Sequence, residues 1–363
     1  MTAIPNPIVP ALRASLLGWG TGRRSHLPWR GETDPYRIWV SEIMLQQTRT
    51  ETATPYYRRF LERFPTVHAL AAAPLDDVLR LWEGLGYYSR ARTLHAAARL
   101  VMERHSGLLP HAPAELRALP GIGDYTAGAI ASLAFGLAEP ALDGNGRRVL
   151  IRLTAMEGDP ASPPIQRQLW DLARRLLPPD QPGAFNVALM DLGATVCTPR
   201  RPDCPACPWA PHCQALAQGK QEALPHKAPS PDLPHYDMVA GLICQDGLVL
   251  VAQRPAPGLL GGLWALPGGR RQQDETLRDG LVRVVREGLA VEIETGEPFA
   301  AVQHAYTHFR ITLHGFRCRY LSGEPEPLAY TACRWATPQD LALLGFSVTD
   351  RRLLRLALAS PAV

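Results

Sequence analysis

The chain of 363 residues lacks any uninterrupted apolar run long enough for a membrane-spanning helix, which takes about 20 such residues. Its N-terminus lacks a basic stretch leading into an apolar segment, so no secretory leader is expected. Neither charge sign dominates: 38 Lys and Arg stand against 34 Asp and Glu, a formal net charge of +4. That mildly basic balance permits a nucleic-acid partner without requiring one. A disulfide framework is also missing. The 7 cysteines are too sparse for one in a chain of this length, so a reducing compartment is expected. There is no long internal repeat. What is present is 46% hydrophobic and 20% charged residues, enough to bury cores in two or three domains.

Residues 1–218 read as helical. Asp34 followed by Pro35 is a helix start, a side-chain cap with proline in the first turn. That helix is expected to run through Trp39, Glu42, Ile43, Gln46 and Gln47, with Gln46 on the face of Glu42. Further helices are expected over 75–82, 93–105, 126–137, 166–177 and 184–196. Residues 219–235, with Pro225, Pro229, Pro231 and Pro234, suit an extended linker. From 236 the pattern changes. Segments 238–244 and 248–252 flank Gln245-Asp246-Gly247 as a β-hairpin. Alternation at Phe309, Ile311 and Leu313 resumes out of phase at Phe316, Cys318 and Tyr320, which predicts a bulge at Gly315. Helical patterns over 276–289 and 349–358 complete a mixed α/β domain at 236–363.

The stretch Leu119-Pro120-Gly121-Ile122-Gly123-Asp124-Tyr125 forms a tight turn between two apolar helical runs. Gly121 and Gly123 let the backbone approach a ligand closely. The free N–H groups of the following helix attract an anion such as phosphate. A carboxylate, Asp143, follows that helix. A phosphate grip feeding a positioned acid suggests chemistry on a nucleic acid. Downstream, Cys197, Cys204, Cys207 and Cys213 are spaced C-x6-C-x2-C-x5-C among stiffening prolines. Four thiolates this close can converge on one metal centre, and spacing alone accepts either Zn²⁺ or an iron–sulfur cluster.

The quartet, the glycine turn with Asp143, and the segment Ser41-Glu42-Ile43-Met44-Leu45-Gln46-Gln47-Thr48 together resemble the helix–hairpin–helix DNA glycosylases, and among them the MutY-type adenine DNA glycosylases. The resemblance runs from about Leu27 through Cys213 and continues more weakly to the C-terminus. It implies a multidomain chain: an all-α helix–hairpin–helix glycosylase core with an iron–sulfur cluster loop, followed by an α/β Nudix-like domain. Residues 30–137 would form a six-helix subdomain, and the N-terminus with 138–218 the cluster subdomain. The quartet would hold a [4Fe-4S] cluster. The implied activity is hydrolysis of the N-glycosidic bond of adenine opposite 8-oxoguanine or guanine, by a monomer acting on duplex DNA in the cytoplasm at the nucleoid.

Releasing adenine requires a proton on the leaving base and stabilisation of the sugar cation, the two-carboxylate logic of glycoside hydrolysis. Glu42 and Asp143 match the family's catalytic positions. The resemblance implies that Glu42 is the acid to adenine N7 and then helps activate water, while Asp143 stabilises the cation. Glu42 then needs a raised pKa, which burial can supply. Asn145 matches a residue that bonds near the sugar and Asp143. Tyr125 stands where lyase-active relatives carry a lysine, and a phenol forms no Schiff base, so an abasic site without strand cleavage is expected. Two departures stand out. Val187 replaces the usual glutamine in Phe185-Asn186-Val187-Ala188-Leu189-Met190, and Gly146 replaces a larger residue.

A base in a duplex must be extruded before chemistry. The resemblance assigns Gln46 or Gln47, Leu85 and Tyr87 to insertion near the opposite 8-oxoguanine. Arg90 and Arg92 are candidate phosphate contacts. In the second domain, Leu266-Pro267-Gly268-Gly269, Glu275, Arg283 and Glu287 resemble a Nudix box, but Val284 and Gly288 occupy two metal-binding places. One carboxylate is a poor Mg²⁺ site, so pyrophosphate hydrolysis is not expected. Thr307 and His308 match a loop that contacts 8-oxoguanine. Three rivals remain: a lyase for oxidised pyrimidines, which Tyr125 disfavours; a lesion-binding protein without turnover, which Val187 suggests; and a nucleotide pyrophosphatase, which the broken box disfavours.

Overall fold

Local sequence and compact units agree over most of the chain, with one displaced segment. The structure, a computed structural model, describes residues 4–226, 232–256 and 258–359. Two compact units form, Met1–Ala71 with Ala96–Ser230 and Ala72–His95 with Pro231–Val363. The division departs from the expected 1–218, 219–235 and 236–363, because Ala72–His95 groups with the sheet. Within the expected linker, 227–231 lie outside the described residues, and Leu224 is buried.

The helices in chain order are α1 Val9–Gly20, α2 Pro35–Leu45, α3 Thr50–Arg63, α4 Val67–Ala72, α5 Leu75–Leu81, α6 Ser89–Arg104, α7 Pro113–Arg117, α8 Asp124–Ala134, α9 Gly144–Thr154, α10 Pro163–Leu176, α11 Pro182–Thr195 and α12 Gln214–Ala217. Asp34 caps α2, accepting from the Tyr36 N–H at 2.8 Å. The helix stops at Leu45 rather than running through Gln47. Gln46 is its C-terminal cap in an extended conformation, and Gln47 sits at φ +55°, so Gln46 does not continue the face of Glu42. In the first unit, Leu12 and Leu16 of α1 share a core with Leu150 and Leu153 of α9 and Leu189 and Leu192 of α11. Helices α9 and α11 touch at Gly193, where a Cβ would lie 2.8 Å from the Asn145 carbonyl oxygen.

In the second unit, β1 His235–Gln245, β2 Leu248–Gln253, β3 Trp264–Ala265, β4 Gly268–Arg270, β5 Glu292–Ala305, β6 Arg310–Ser322 and β7 Ala332–Ala336 form one mixed sheet. Its order is β3-β2-β1-β6-β5, with β4 also on β1 and β7 on β2. Strands β1 and β6 pair in parallel; the other pairs are antiparallel. Asp246 and Gly247 both take positive φ, +50° and +77°, the geometry that a two-residue hairpin turn requires. Three helices cover the sheet: α13 Leu277–Leu289, α14 Pro338–Leu343 and α15 Val348–Ala359.

Both faces of this sheet are buried. Ala240, Leu242, Ile311 and Leu313 pack with Leu353 and Leu354, whereas Val239, Ile243, Phe316 and Cys318 pack with Leu281 and Val285. The phase change in β6 therefore marks a strand that buries first one face and then the other. β6 itself has no bulge at Gly315: it runs in unbroken register against β1. Against β5 the register shifts between Glu292 and Ile293 and between Thr295 and Ala300, the last step being an extra β5 residue opposite Gly315 and Phe316. Gly315 instead leaves room for Phe299 and Leu353, whose atoms would lie 2.8 and 3.0 Å from a Cβ there.

Candidate active site

Helix α2 carries Glu42 inward because Trp39, Ile43 and Met44 on the same helix are buried with it. Glu42 is 6% exposed. The Tyr125 hydroxyl, in the first turn of α8, donates to Glu42 Oε2 at 2.5 Å. Burial pushes the Glu42 carboxyl up to about 7, opposed by the Tyr125 hydrogen bond and reinforced by the negative Asp143. Asp143 is the N-cap of α9, accepting from the Gly146 N–H at 2.7 Å. Its Oδ2 accepts from the Asn145 amide at 2.9 Å. Burial raises its pKa, while those two donors and Arg148 pull the other way. Glu42, Tyr125, Asp143 and Asn145, distant in sequence, line one open cleft of about 1620 Å³. Val187 lines it too and offers no hydrogen bond to a base. At Gly146 a Cβ would stand 3.0 Å from Leu142 Cδ1 and 3.4 Å from Asp143 Oδ1, so a larger residue would press on the cap.

Several participants escaped the sequence reading. Arg30 and Asp191 form an ion pair in the cleft wall, at 2.5 Å. Arg148 donates to Asn145 Oδ1 at 2.9 Å, to the Gly193 carbonyl at 2.7 Å and to the Cys197 carbonyl at 2.7 Å. Asp143, Asn145, Arg148 and Cys197 are thus joined by consecutive hydrogen bonds. Asn186 accepts from the Ala141 N–H and donates to the Glu139 carbonyl, pinning the segment that leads to Asp143. Asp191 alone breaks the apolar run Phe185–Ala194 with a charge, a signal that could have flagged it.

At the glycine turn, Gly121 takes φ +79° and Gly123 is the N-cap of α8 with no side-chain cap. The leading N–H groups of this helix therefore lack a side-chain acceptor at their cap. Gln46 Nε2 donates to Thr126 Oγ1 at 3.3 Å. In the second unit, Tyr87 is 44% exposed at φ +48°. Tyr87 and Gln47 are both non-glycine residues in the left-handed region, the kind of strain that collects at ligand contacts. Leu85 is buried, so in this structure it packs in the core. Arg90 and Arg92, the candidate phosphate contacts, both reach backbone carbonyls. Arg90 is buried and donates to the Leu85 and Gly86 carbonyls, and Arg92 donates to the Gly258 and Gly261 carbonyls. Thr307 and His308 occupy the exposed tip between β5 and β6, closed by the Tyr306 N–H on the Phe309 carbonyl at 2.8 Å. The Tyr87 and Thr307 hydroxyls lie 3.1 Å apart.

The four cysteines follow α11 on a loop of 3-10 turns at Cys204–Ala206 and Ala210–His212, as the prolines dictate. All four line one small hollow with Arg152. Arg152 is 2% exposed and donates to the Leu224, Thr198 and Pro199 carbonyls and to Cys197 Sγ at 3.4 Å. Among the described residues no three His, Cys, Asp or Glu side chains are placed to hold a single metal ion. In the second unit, Arg283 grips Glu275 through two nitrogens at 2.7 and 2.9 Å and bonds Glu287 at 2.9 Å. A Cβ at Gly288 would lie 3.1 Å from the Tyr330 ring, so the ring stands where a second carboxylate would begin. No described helix is long and apolar enough to cross a membrane.

Comparison with known proteins accords with this arrangement. Residues 40–175 match the family described as HhH-GPD superfamily base excision DNA repair protein, and residues 238–356 match the NUDIX domain. The adenine DNA glycosylase of Homo sapiens is 35% identical over 96% of this chain and 74% of its own length. A thermostable thymine-DNA glycosylase structure superposes with a TM-score of 0.54 at 29% identity, covering 59% of this chain and 98% of that one. An endonuclease III–DNA complex, at 20% identity and a TM-score of 0.51, covers 60% of this chain and 99% of that one and shares the fold. On the match to both domains and to relatives along nearly its whole length, the chain belongs to the adenine DNA glycosylases of the helix–hairpin–helix superfamily, enzymes that hydrolyse N-glycosyl bonds.

Proposed function

We propose that the cleft releases adenine from duplex DNA where it stands opposite 8-oxoguanine or guanine, leaving an abasic site with both strands intact. The observation that carries this is the pair of buried carboxyl groups in one cleft, Glu42 pushed up to about 7 and Asp143 held by hydrogen bonds from Asn145 and Gly146. Two carboxyl groups in one cleft, one of them pushed up to about 7, are the arrangement that acid-assisted cleavage of a glycosidic bond requires. Glu42 keeps its proton near neutral pH and delivers it to N7 of the flipped purine. Tyr125 holds Oε2, leaving Oε1 to face the base. As the bond between C1′ and N9 breaks, its electron pair leaves with the base and positive charge grows on the sugar. Asp143, oriented by Asn145 and the Gly146 N–H, stabilises that charge until water adds. Glu42, now a carboxylate, takes the proton from the water. Tyr125 offers no amine, so no Schiff base forms and no strand cut follows.

The uncapped N-terminus of α8 with Gly121 and Gly123 suits the phosphate backbone. The strained Gln47, with Gln46 before it in the sequence, suits filling of the gap left by the extruded base, and in the second unit the strained, exposed Tyr87 suits the same role. Leu85 joins them only by moving out of its buried position. Thr307 and His308, the former within hydrogen-bond distance of Tyr87, suit reading of the opposite 8-oxoguanine. The cysteine quartet suits a [4Fe-4S] cluster. The buried Arg152 supplies positive charge beside the cysteines. When bound, such a cluster staples the loop; the base-release steps belong to the cleft residues.

The test is single-turnover base release on a duplex with adenine opposite 8-oxoguanine, analysed with and without alkaline strand cleavage. Product only after alkali is expected, and none with Glu42→Gln or Asp143→Asn although both still bind the duplex. Intact adenine after long incubation, or strand cutting without alkali, defeats the reading.

A further inference from the structure

Asp191 is a buried carboxylate that the two-acid mechanism does not use. It is 2% exposed and is the only titratable side chain on α11. Its Oδ1 accepts from Arg30 Nη2 at 2.5 Å and lies 3.5 Å from Arg24 Nη1. Asp191 Oδ2 and Arg30 Nε have no hydrogen-bond partner. Both residues line the cleft that holds Glu42 and Tyr125. A charged side chain buried with half its capacity unused costs stability, so a site that keeps one needs its field.

We propose that Asp191 is a positioning residue for base release: it anchors and neutralises Arg30, and through Arg30 governs the proton on Glu42. The inference rests on the reading of Glu42 as the acid. Arg30, in the same cleft wall, is the cation whose charge reaches Glu42 and favours loss of its proton, after burial, Tyr125 and Asp143 have had their larger effects. The other groups facing Glu42 are Tyr125 from α8 and Asp143 from the cap of α9. Helix α3, which also packs on α2, buries Tyr57 as its one titratable group, while its charged side chains are exposed. Arg24 and Arg23 act on Asp191 from the segment before α2. With Asp191 neutral, the Arg30 charge falls uncompensated on Glu42.

The test is the pH profile of single-turnover adenine release by Asp191→Asn, which keeps the shape and removes the charge. The alkaline limb is expected about one pH unit lower than in the parent protein, which makes release about tenfold slower on that side. Adding Arg30→Gln to Asp191→Asn should return the limb toward its original position. A limb that does not move, or a uniform loss at every pH, overturns the proposal. Should Asp191→Asn fail to fold by thermal unfolding, Arg30→Gln alone decides: the limb must move to higher pH, and an unmoved limb overturns the idea. A parent protein that releases no adenine at all refutes the proposed function instead.

Discussion

Burial and a tyrosine hydroxyl act in opposite directions on Glu42. Burial disfavours the carboxylate and dominates; the Tyr125 hydrogen bond favours it. The resulting pKa of about 7 against an ordinary 4.5 has two consequences. Base release should stay level below about pH 7 and fall about tenfold per unit above it as Glu42 loses its proton, measured by single-turnover rates. The native state also holds a proton that the unfolded chain has lost between these two values. Stability is therefore complete below the lower value and drains away as pH rises through the window, by about 3 kcal/mol in all. Glu42→Gln should flatten that slope in denaturant titrations; an equal slope in both proteins removes Glu42 as its source. The same balance holds at Asp143, where burial raises the pKa against the pull of a helix cap and an amide.

Helices α9 and α11 decide where those acids stand. Asp143 is where it is because it caps α9, and α9 can approach α11 only because residue 193 has no side chain. A Cβ there would meet Asn145 Cβ at 2.6 Å and the Asn145 carbonyl oxygen at 2.8 Å. Backbone cannot rotate away, so Gly193→Ala should shift α9, cost about 1–3 kcal/mol and abolish most base release. A thermal melt and a rate within twofold of the parent's would contradict the close approach. About two turns of α9 further on, Arg152 binds three carbonyls of the chain around the cysteine loop. Arg152→Met strips them of a buried partner at about 1–3 kcal/mol each. It should lower the melting temperature and the iron retained on purification. In the second unit, α13 carries Glu287 into a bond with Arg283 and places Gly288 under Tyr330. Val284→Glu with Gly288→Glu should therefore not release pyrophosphate from an oxidised nucleoside triphosphate in the presence of Mg²⁺. Hydrolysis by that double variant would show that the ring yields.

Across the whole molecule the cysteine loop and the cleft are connected by the bonds from Cys197 through Arg148 and Asn145 to Asp143. The purified chain should carry about four irons, and their removal should lower both the melting temperature and base release. Colourless, zinc-loaded and fully active protein would separate the two sites. Much of this was legible in the residues. The cysteine spacing, the glycine turn, the cap at Asp34 and the hairpin turn at Asp246-Gly247 are local, and each depends on chemistry within a few positions of the chain. The paired acids were legible through a motif rather than through spacing, since 100 residues separate them. The tertiary structure alone decided the rest. It ended α2 at Leu45, turned the phase break in β6 into a strand buried on both faces, grouped Ala72–His95 with the sheet, and gave Arg90 and Arg92 to backbone carbonyls. It also brought Asp191 to Arg30. For the sheet, Arg92 and Asp191 the deciding energy is the burial or pairing of groups far apart in the chain, which local pattern does not encode.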